Sequence, residues 1–488
     1  MTLDDFHEYV AHSRQHFEEG LIRAGFREGK AGWEGSVPHP AGPTRVVIGL
    51  SDSFPFRPPT VTPVDQDAVP WSWHRDRDGD LCLVAEDDHD GLWWTEAPAF
   101  LAHVTAWFER ADTGWKDDRP DLDLDRYFQW STDQRLYLYG DLDQYLDRPV
   151  RFIPSSNNTM RIRHGARPGK VLKHSKDRFG YVAALGEMDV PPRTWADISI
   201  RIDSSADLDR RIRQQAVVVV VLTYRRGLHT GAIVLDVAPK KNGGTTVTRL
   251  RSAADTEAAR SARAGVLAPQ LRGSRVAVVG AGALGSFIAD LLVRSGVRHL
   301  TLIDDDVVMP GNLVRHLVGP EAVGLPKVEA VKQHLVRNHE VPAAGIDTIN
   351  RALTTSSDAV DHLRSHDLVV NATADFATTA LLHISAQALG THALSAVLQN
   401  DGRSYRIDVL PPLDGAAPLP PSATNAGTEA PLLFEAGCGS PISPTPPHAV
   451  VEAAAATVRH AIGFLVDRPL HPAGETRHLH ASPEGNQP

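Results

Sequence analysis

The sequence predicts a multidomain chain: an N-terminal α+β unit, a β-rich connector and a C-terminal α/β unit on a parallel sheet. Three observations carry this. The 488 residues suffice for about two to four domains, each burying its own core. Hydrophobic spacing is helical at the start and strand-like in the middle. From residue 274 strand and helix patterns alternate, as in a parallel sheet with crossover helices. Boundaries are expected at 1–145, 146–265 and 266–472, with a disordered tail over 473–488.

Residues 3–26 read as an amphipathic helix with Phe6, Val10, Phe17 and Leu21 on one face. Thr2 is its N-cap, with Asp5 completing a capping box. "TRVVIGLSD" (44–52) is strand-like, and the prolines of "FPFRPPTVTP" (54–63) exclude an interior strand or helix. A short strand carrying Cys82, a loop with Trp93 and Trp94, and a second helix follow. In that helix Phe100, Leu101, Val104, Trp107 and Phe108 form one apolar face. The run Ala216 to Leu222 is a buried strand, paired through a turn near Arg226 and Gly227. The connector shows no chemical motif.

In the last unit "RVAVV" is a strand, "LGSFIADLLVRSG" a helix, "HLTLI" and "DLVVNAT" strands. Residues 410–431 form a low-complexity loop expected to be mobile, and a final helix covers about 447–465.

Composition excludes several classes. The net charge of −10 argues against general nucleic-acid binding, which needs a basic surplus. The longest apolar run cannot span a bilayer. "MTLDDFHEYV" lacks the apolar core of a signal peptide. The two cysteines cannot build a four-thiolate zinc site, so a cytoplasmic protein with reduced thiols is expected. The clustered acids and histidines of "HRDRDGD" (74–80) and "EDDHDG" (86–91) read as solvated loops rather than metal sites.

"VVGAGALGS" places Gly280, Gly282 and Gly285 at the GxGxxG spacing between a strand and a helix. There the backbone can approach phosphate, and a helix N-terminus faces it. Asp304, at the end of the next strand, suits a carboxylate on ribose hydroxyls. NAD remains open on these residues alone. The continuation, "DDDVVMPGNLVRH" and "GLPK", supplies Asn312, Arg315 and Lys327. Two cations and an amide beside a phosphate loop suit a triphosphate, whose charge must be neutralised as pyrophosphate leaves.

At this point the sequence resembles the ThiF-like activating enzymes, among them the ubiquitin-activating enzymes. That pattern runs GxGGLGS, an acidic strand end, NLxRQ, GxxK and D(A/C)TDN. Here stand "GAGALGS", "DDD", "NLVRH", "GLPK" and "NATADF", over about 268–400. The resemblance implies a Rossmann-type adenylation domain that uses ATP and Mg²⁺. Gly280, Gly282 and Gly285 would meet the phosphates, and Asp304 and Asp306 of the acidic strand end the nucleotide. Asn312, Arg315 and Lys327 would hold the phosphates, the last two acting in catalysis. Asp375 would bind magnesium, one residue out of step, because Ala374 stands where the family has its aspartate. His316 replaces the family glutamine, and the paired CxxC motifs of many relatives are absent.

Cys438, between glycines in "EAGCGSP", sits downstream of this core, where ubiquitin-activating enzymes form a thioester. The first unit resembles a ubiquitin-conjugating enzyme over most of 1–115: "FPFRPP", His74, "GDLCL" with Cys82, then Trp93 and Trp94, in the family's order. If "LCL" is extended, Leu81 and Leu83 anchor it and Cys82 faces the other way. The asparagine usual after the histidine is missing. Domain order resembles the bacterial fusion enzymes of CBASS-type anti-phage operons. Together these resemblances imply activation of a protein C-terminus by ATP, a thioester relay from Cys438 to Cys82, and transfer to a lysine on a target. The protein carried would be a nucleotide cyclase or a ubiquitin-like protein, and the enzyme a homodimer. Sulfur-carrier adenylation and a non-catalytic nucleotide-binding scaffold are the alternatives.

Overall fold

In a computed structural model, described for residues 2–39, 42–84, 91–115, 123–165, 176–241, 243–339, 341–421 and 443–479, the chain divides into two compact units, 1–256 and 257–488.

The first unit opens with α1 (Leu3–Arg23), started by the expected capping box between Thr2 and Asp5. A four-stranded antiparallel sheet follows, in the order β1 (Arg27–Glu28), β2 (Trp33–Val37), β3 (Thr44–Gly49) and β4 (Thr60–Pro63). The strand that carries prolines is an edge strand, where a missing N–H costs no ladder bond. Phe17 and Leu21 of α1 and Phe100, Val104, Trp107 and Phe108 of α2 (Ala97–Thr113) pack on Val46, Ile48 and Val61. The expected Cys82 strand does not form. Leu81 makes only an isolated bridge to Arg75.

The same unit holds an eight-stranded sheet. Its strands are β5 (Leu136–Tyr139), β6 (Arg148–Pro154), β7 (Thr159–His164), β8 (Arg178–Glu187), β9 (Val219–Arg226), β10 (His229–Pro239), β11 (Thr245–Arg249) and β12 (Arg251–Ala254), in the order β11-β10-β9-β8-β6-β7-β5-β12. The connector sheet therefore begins before 145, because β5 pairs with both β7 and β12. The valine run is central β9 and is buried on both faces. Val219 and Val221 meet Tyr137, Phe152 and Met160. Val220 and Leu222 meet α3 (Trp195–Ser199) and α4 (Ser205–Arg213) through Trp195, Ile198, Leu208 and Ile212. Burial on both sides is why the run does not alternate.

The second unit starts with two short helices, α5 (Glu257–Ser261) and α6 (Ala268–Leu271). It then alternates β13 (Arg275–Val279), α7 (Ala283–Arg294), β14 (His299–Ile303), α8 (Lys327–His339), β15 (Ile346–Ile349), α9 (Ser356–Ser365), β16 (Leu368–Asn371), α10 (Phe376–Leu389) and β17 (Ala393–Gln399). Next come β18 (Ser404–Leu410), α11 (Pro447–Leu465) and β19 (Gly474–His478). The sheet order is β15-β14-β13-β16-β17-β18-β19, with the first five parallel, β18 antiparallel to β17 and β19 antiparallel to β18. Helices α7, α8 and α11 cover one face, α9 and α10 the other. This is a Rossmann-type α/β fold, and strand order reverses direction at β13, between β14 and β16. The crevice beyond that switch point is where such sheets bind ligands.

The tail expected to be disordered carries a strand, and its residues 480–488 lie outside the described residues. β19 adds an edge to β18, and Glu475 within it accepts from Tyr405 at 2.8 Å and from Arg459 at 2.9 Å. Among the described residues no helix is long and apolar enough to cross a membrane.

Candidate active site

The glycine loop is shaped by β13, whose last four residues are buried. The chain must leave this strand sharply, and Gly280 does so at φ +91°. A Cβ there would lie 2.9 Å from the Ala372 carbonyl carbon and the Thr373 nitrogen at the end of β16. Gly285, in the first turn of α7, is closer still: its Cβ would stand 1.7 Å from the Gly280 oxygen. These two glycines are required by packing. Gly282 is not, because a Cβ there would meet nothing within 4 Å. It is the N-cap of α7 and makes no side-chain cap bond. The positive end of a 12-residue helix thus opens onto space beside a residue whose smallness the protein's own packing does not need. That arrangement fits a phosphate group.

A bonded chain links the loop to the cations. Asp304 Oδ2 accepts from Ala281 N at 2.6 Å, and its Oδ1 from Asp306 N at 2.8 Å. The Asp306 carboxylate pairs with Lys327 Nζ at 2.6 Å. Lys327 is the first residue of α8, where the helix dipole disfavours a cation unless an anion is near. Asn312 ends a short turn and accepts from Met309 N at 2.9 Å. Its carbonyl accepts from Arg315 N and His316 N, both at 2.9 Å. The Arg315 guanidinium donates to the Ser443 carbonyl at 2.9 Å, just before α11.

His316 is the residue whose role was not foreseen. Only 6% exposed, it donates from Nε2 to the Ala281 carbonyl at 2.8 Å and accepts at Nδ1 from Val318 N at 3.3 Å. Both nitrogens are thereby assigned to one neutral tautomer. Burial lowers its pKa, against the pull of that bond. The side chain holds the glycine loop from below.

Asp375 caps α10. Its Oδ2 accepts from Thr378 N at 2.7 Å and from Thr378 Oγ1 at 2.8 Å, and the backbone bond in particular lowers its pKa. Ala374 beside it sits at φ +57°, a conformation that is strained for alanine. Asp375 therefore has a structural duty at the start of α10.

Cys438 lies outside the described residues, as do residues 85–90 of the acidic loop. Cys82 is half-buried in the first unit. Its backbone is held on both sides: Cys82 N donates to the His74 carbonyl at 2.9 Å, and Trp107 Nε1 donates to the Cys82 carbonyl at 3.1 Å. Leu81 and Leu83 pack into the N-terminal core, while Cys82 packs on the cluster of the eight-stranded sheet. The expected division of faces holds without a strand.

The connector is more than a spacer here. Trp73 Nε1 donates to Met188 O at 3.2 Å, Trp71 Nε1 to Pro191 O at 2.8 Å, and Tyr127 OH to Trp73 O at 3.0 Å. Guanidinium groups lie over both indoles, Arg193 over Trp71 at 4.2 Å and Arg226 over Trp73 at 3.8 Å. The 74–80 segment is a hydrogen-bonded loop. Asp76 Oδ1 accepts from Asp78 N and Asp80 N, each at 2.9 Å. Arg75, fully buried, donates to the carbonyls of Gln66, Val69 and Gly79. His74 stacks on Trp115 with ring centres 3.7 Å apart.

Residues 261–463 match the ThiF family, and that part of the chain is a ThiF domain. Over 112 residues the chain is 36% identical to "ATP-dependent ubiquitin transferase-like protein Cap2" of Enterobacter hormaechei, covering 23% of this chain and 18% of that one. It is 38% identical over 104 residues to the molybdopterin-synthase adenylyltransferase of Escherichia coli, covering 21% of this chain and 41% of that one. It thus spans under half the length of either relative. A crystal structure of E. coli MccB with MccA-N7isoASN aligns at a TM-score of 0.34 and 20% identity, over 45% of this chain and 68% of that one. That likeness is too low to carry an argument.

Proposed function

We propose that the second unit activates the C-terminal carboxylate of a protein with ATP, and that Cys438 and Cys82 relay the acyl group to a lysine. The observation that carries the first half is Gly282, a packing-free glycine at an uncapped helix N-terminus, next to Ala281, whose N–H is linked through Asp304 and Asp306 to Lys327. The relatives named as a ubiquitin transferase-like protein and an adenylyltransferase support the same reading.

In the first step a carboxylate oxygen attacks the α-phosphorus of ATP and pyrophosphate leaves. Lys327 and Arg315 neutralise charge on the phosphates as that bond breaks, and Asn312 fixes the turn that presents Arg315. Asp304 binds the ribose, and Asp306 hands Lys327 over to the incoming phosphates. Asp375 would hold Mg²⁺, which supplies further charge neutralisation when bound. Next, the Cys438 thiolate attacks the acyl carbon and AMP leaves. The Cys82 thiolate then displaces Cys438 in a near-neutral exchange. Last, a lysine amine attacks the Cys82 thioester, forming an isopeptide bond and releasing the thiol. A nucleotide cyclase or a ubiquitin-like protein is the proposed cargo, and a homodimer the working form.

ATP titration calorimetry on the full chain tests the nucleotide site. Lys327→Ala and Arg315→Ala should each weaken binding by at least ~10-fold; wild-type affinity in both would overturn the phosphate assignment. The relay is tested by mass spectrometry of the chain in host extract with ATP. A thiol-sensitive adduct at Cys82 should require Cys438. An undiminished adduct in Cys438→Ala would remove that residue from the pathway. A second reading, sulfur-carrier adenylation, is favoured by the molybdopterin-synthase relative. It predicts AMP formation with no adduct at Cys82.

A further inference from the structure

We propose a transition-metal site in the second unit, separate from the glycine loop, formed by Asp290 of α7 and by His334 and His339 of α8. One ligand atom from each lies within 4.8 Å of the other two. His339 Nε2 is 2.5 Å from Asp290 Oδ1, and His334 Nε2 is 4.0 Å from the same oxygen. Asp290 is 4% exposed on a helix whose other buried residues are almost all apolar. A carboxylate placed so deep needs positive partners.

The surroundings orient these three atoms. Asp290 Oδ2 takes the Arg294 Nε at 2.7 Å, which leaves Oδ1 facing the histidines. The Asn338 amide donates to the lone pair of His334 Nε2 at 3.0 Å, so that nitrogen is unprotonated and an ion would take the place of the amide on it. Arg294 is the kind of outer partner that fixes ligand orientation in metal sites. Two imidazole nitrogens and one carboxylate oxygen suit Zn²⁺ or its neighbours, rather than Mg²⁺ or Ca²⁺. At ordinary Zn–ligand lengths the three atoms would stand about 3.3 Å apart, which is between the two separations observed. Small side-chain rotations suffice.

Three protein ligands leave a fourth position for water or an anion. His339, Asn338 and Arg294 also line a cavity of about 1050 Å³ that Arg263, Arg272 and Arg298 border. An ion here would tie α7 to α8. The first begins at the glycine loop, and the second begins with Lys327.

The test uses the untagged full chain, stripped with chelator and titrated with Co²⁺ in the absence of nucleotide. One Co²⁺ per chain should bind, with the visible ligand-field bands of a four-coordinate site, and Zn²⁺ should displace it. His334→Ala and His339→Ala should each lose at least ~100-fold in affinity. Wild-type Co²⁺ affinity in both variants would overturn the site. So would a wild-type chain that shows neither stoichiometric Co²⁺ bands nor a rise in melting temperature with Zn²⁺. That second arm holds even if a variant misfolds.

Discussion

Replacing His316 by alanine tests how the glycine loop is held. The side chain is 6% exposed and makes two bonds, a short one to the Ala281 carbonyl at 2.8 Å and a long one from Val318 N at 3.3 Å. Alanine leaves both backbone groups buried without that partner. A buried unpaired group costs roughly 1–3 kcal/mol, so the short bond contributes about 2 kcal/mol and the long one about 1. Lost packing adds about 1 kcal/mol, giving roughly 4 kcal/mol. For a unit of this size each kcal/mol lowers the melting temperature by roughly 2–4 °C, a fall of about 8–16 °C. Glutamine can still donate to the Ala281 carbonyl and should lose about half as much. Differential scanning calorimetry of the full chain reads the transition, and ATP titration reads the loop. If the alanine variant melts within ~1 °C of wild type and binds ATP normally, the loop is not held by His316.

Two glycines should respond oppositely. Gly285→Ala drives a Cβ against the Gly280 oxygen and should cost about 3 kcal/mol or more by chemical denaturation. Gly282→Ala meets open space and should melt within ~1 °C of wild type while losing at least ~10-fold in ATP affinity by calorimetry. Arg75→Leu in the first unit strands several carbonyls around a fully buried guanidinium and should cost about 3–5 kcal/mol by urea unfolding. Burial lowers the pKa of His316, His362, His366 and His460. Their folded pKa values lie below the unfolded one, so the unfolded chain takes up protons first as pH falls through about 6.5. The second unit should therefore be most stable above that pH and lose up to ~1.4 kcal/mol per pH unit for each such group on acidification. Melting temperatures from pH 7.5 to 5 that stay level would contradict this.

The parallel sheet is legible because its central strands are short, mostly apolar runs, and the glycine spacing marks the turn after the first. Helix starts were legible at Thr2 and Asp5 because a capping box is a local pattern. What escaped was tertiary. His316 reaches Ala281 across 35 positions, and no local spacing signals that. "GETRH" is too polar to read as a strand, yet β18 offers it a free edge and Glu475 anchors it. "LCL" has the composition of a strand but spends its N–H groups elsewhere, Leu81 on Val61 and Cys82 on His74. Capping by Asp375 is a local pattern, with Thr378 three residues on. Trp71 and Trp73 lie in an irregular stretch, where periodicity says nothing about what covers them.

Those two indoles have a practical consequence. A fragment ending at Trp115 would strip them of Met188, Pro191, Arg193 and Arg226 and turn a sealed seam into a greasy scar beside the thiol. The packing around Cys82 is completed by residues more than a hundred positions downstream, in the stretch that carries no motif.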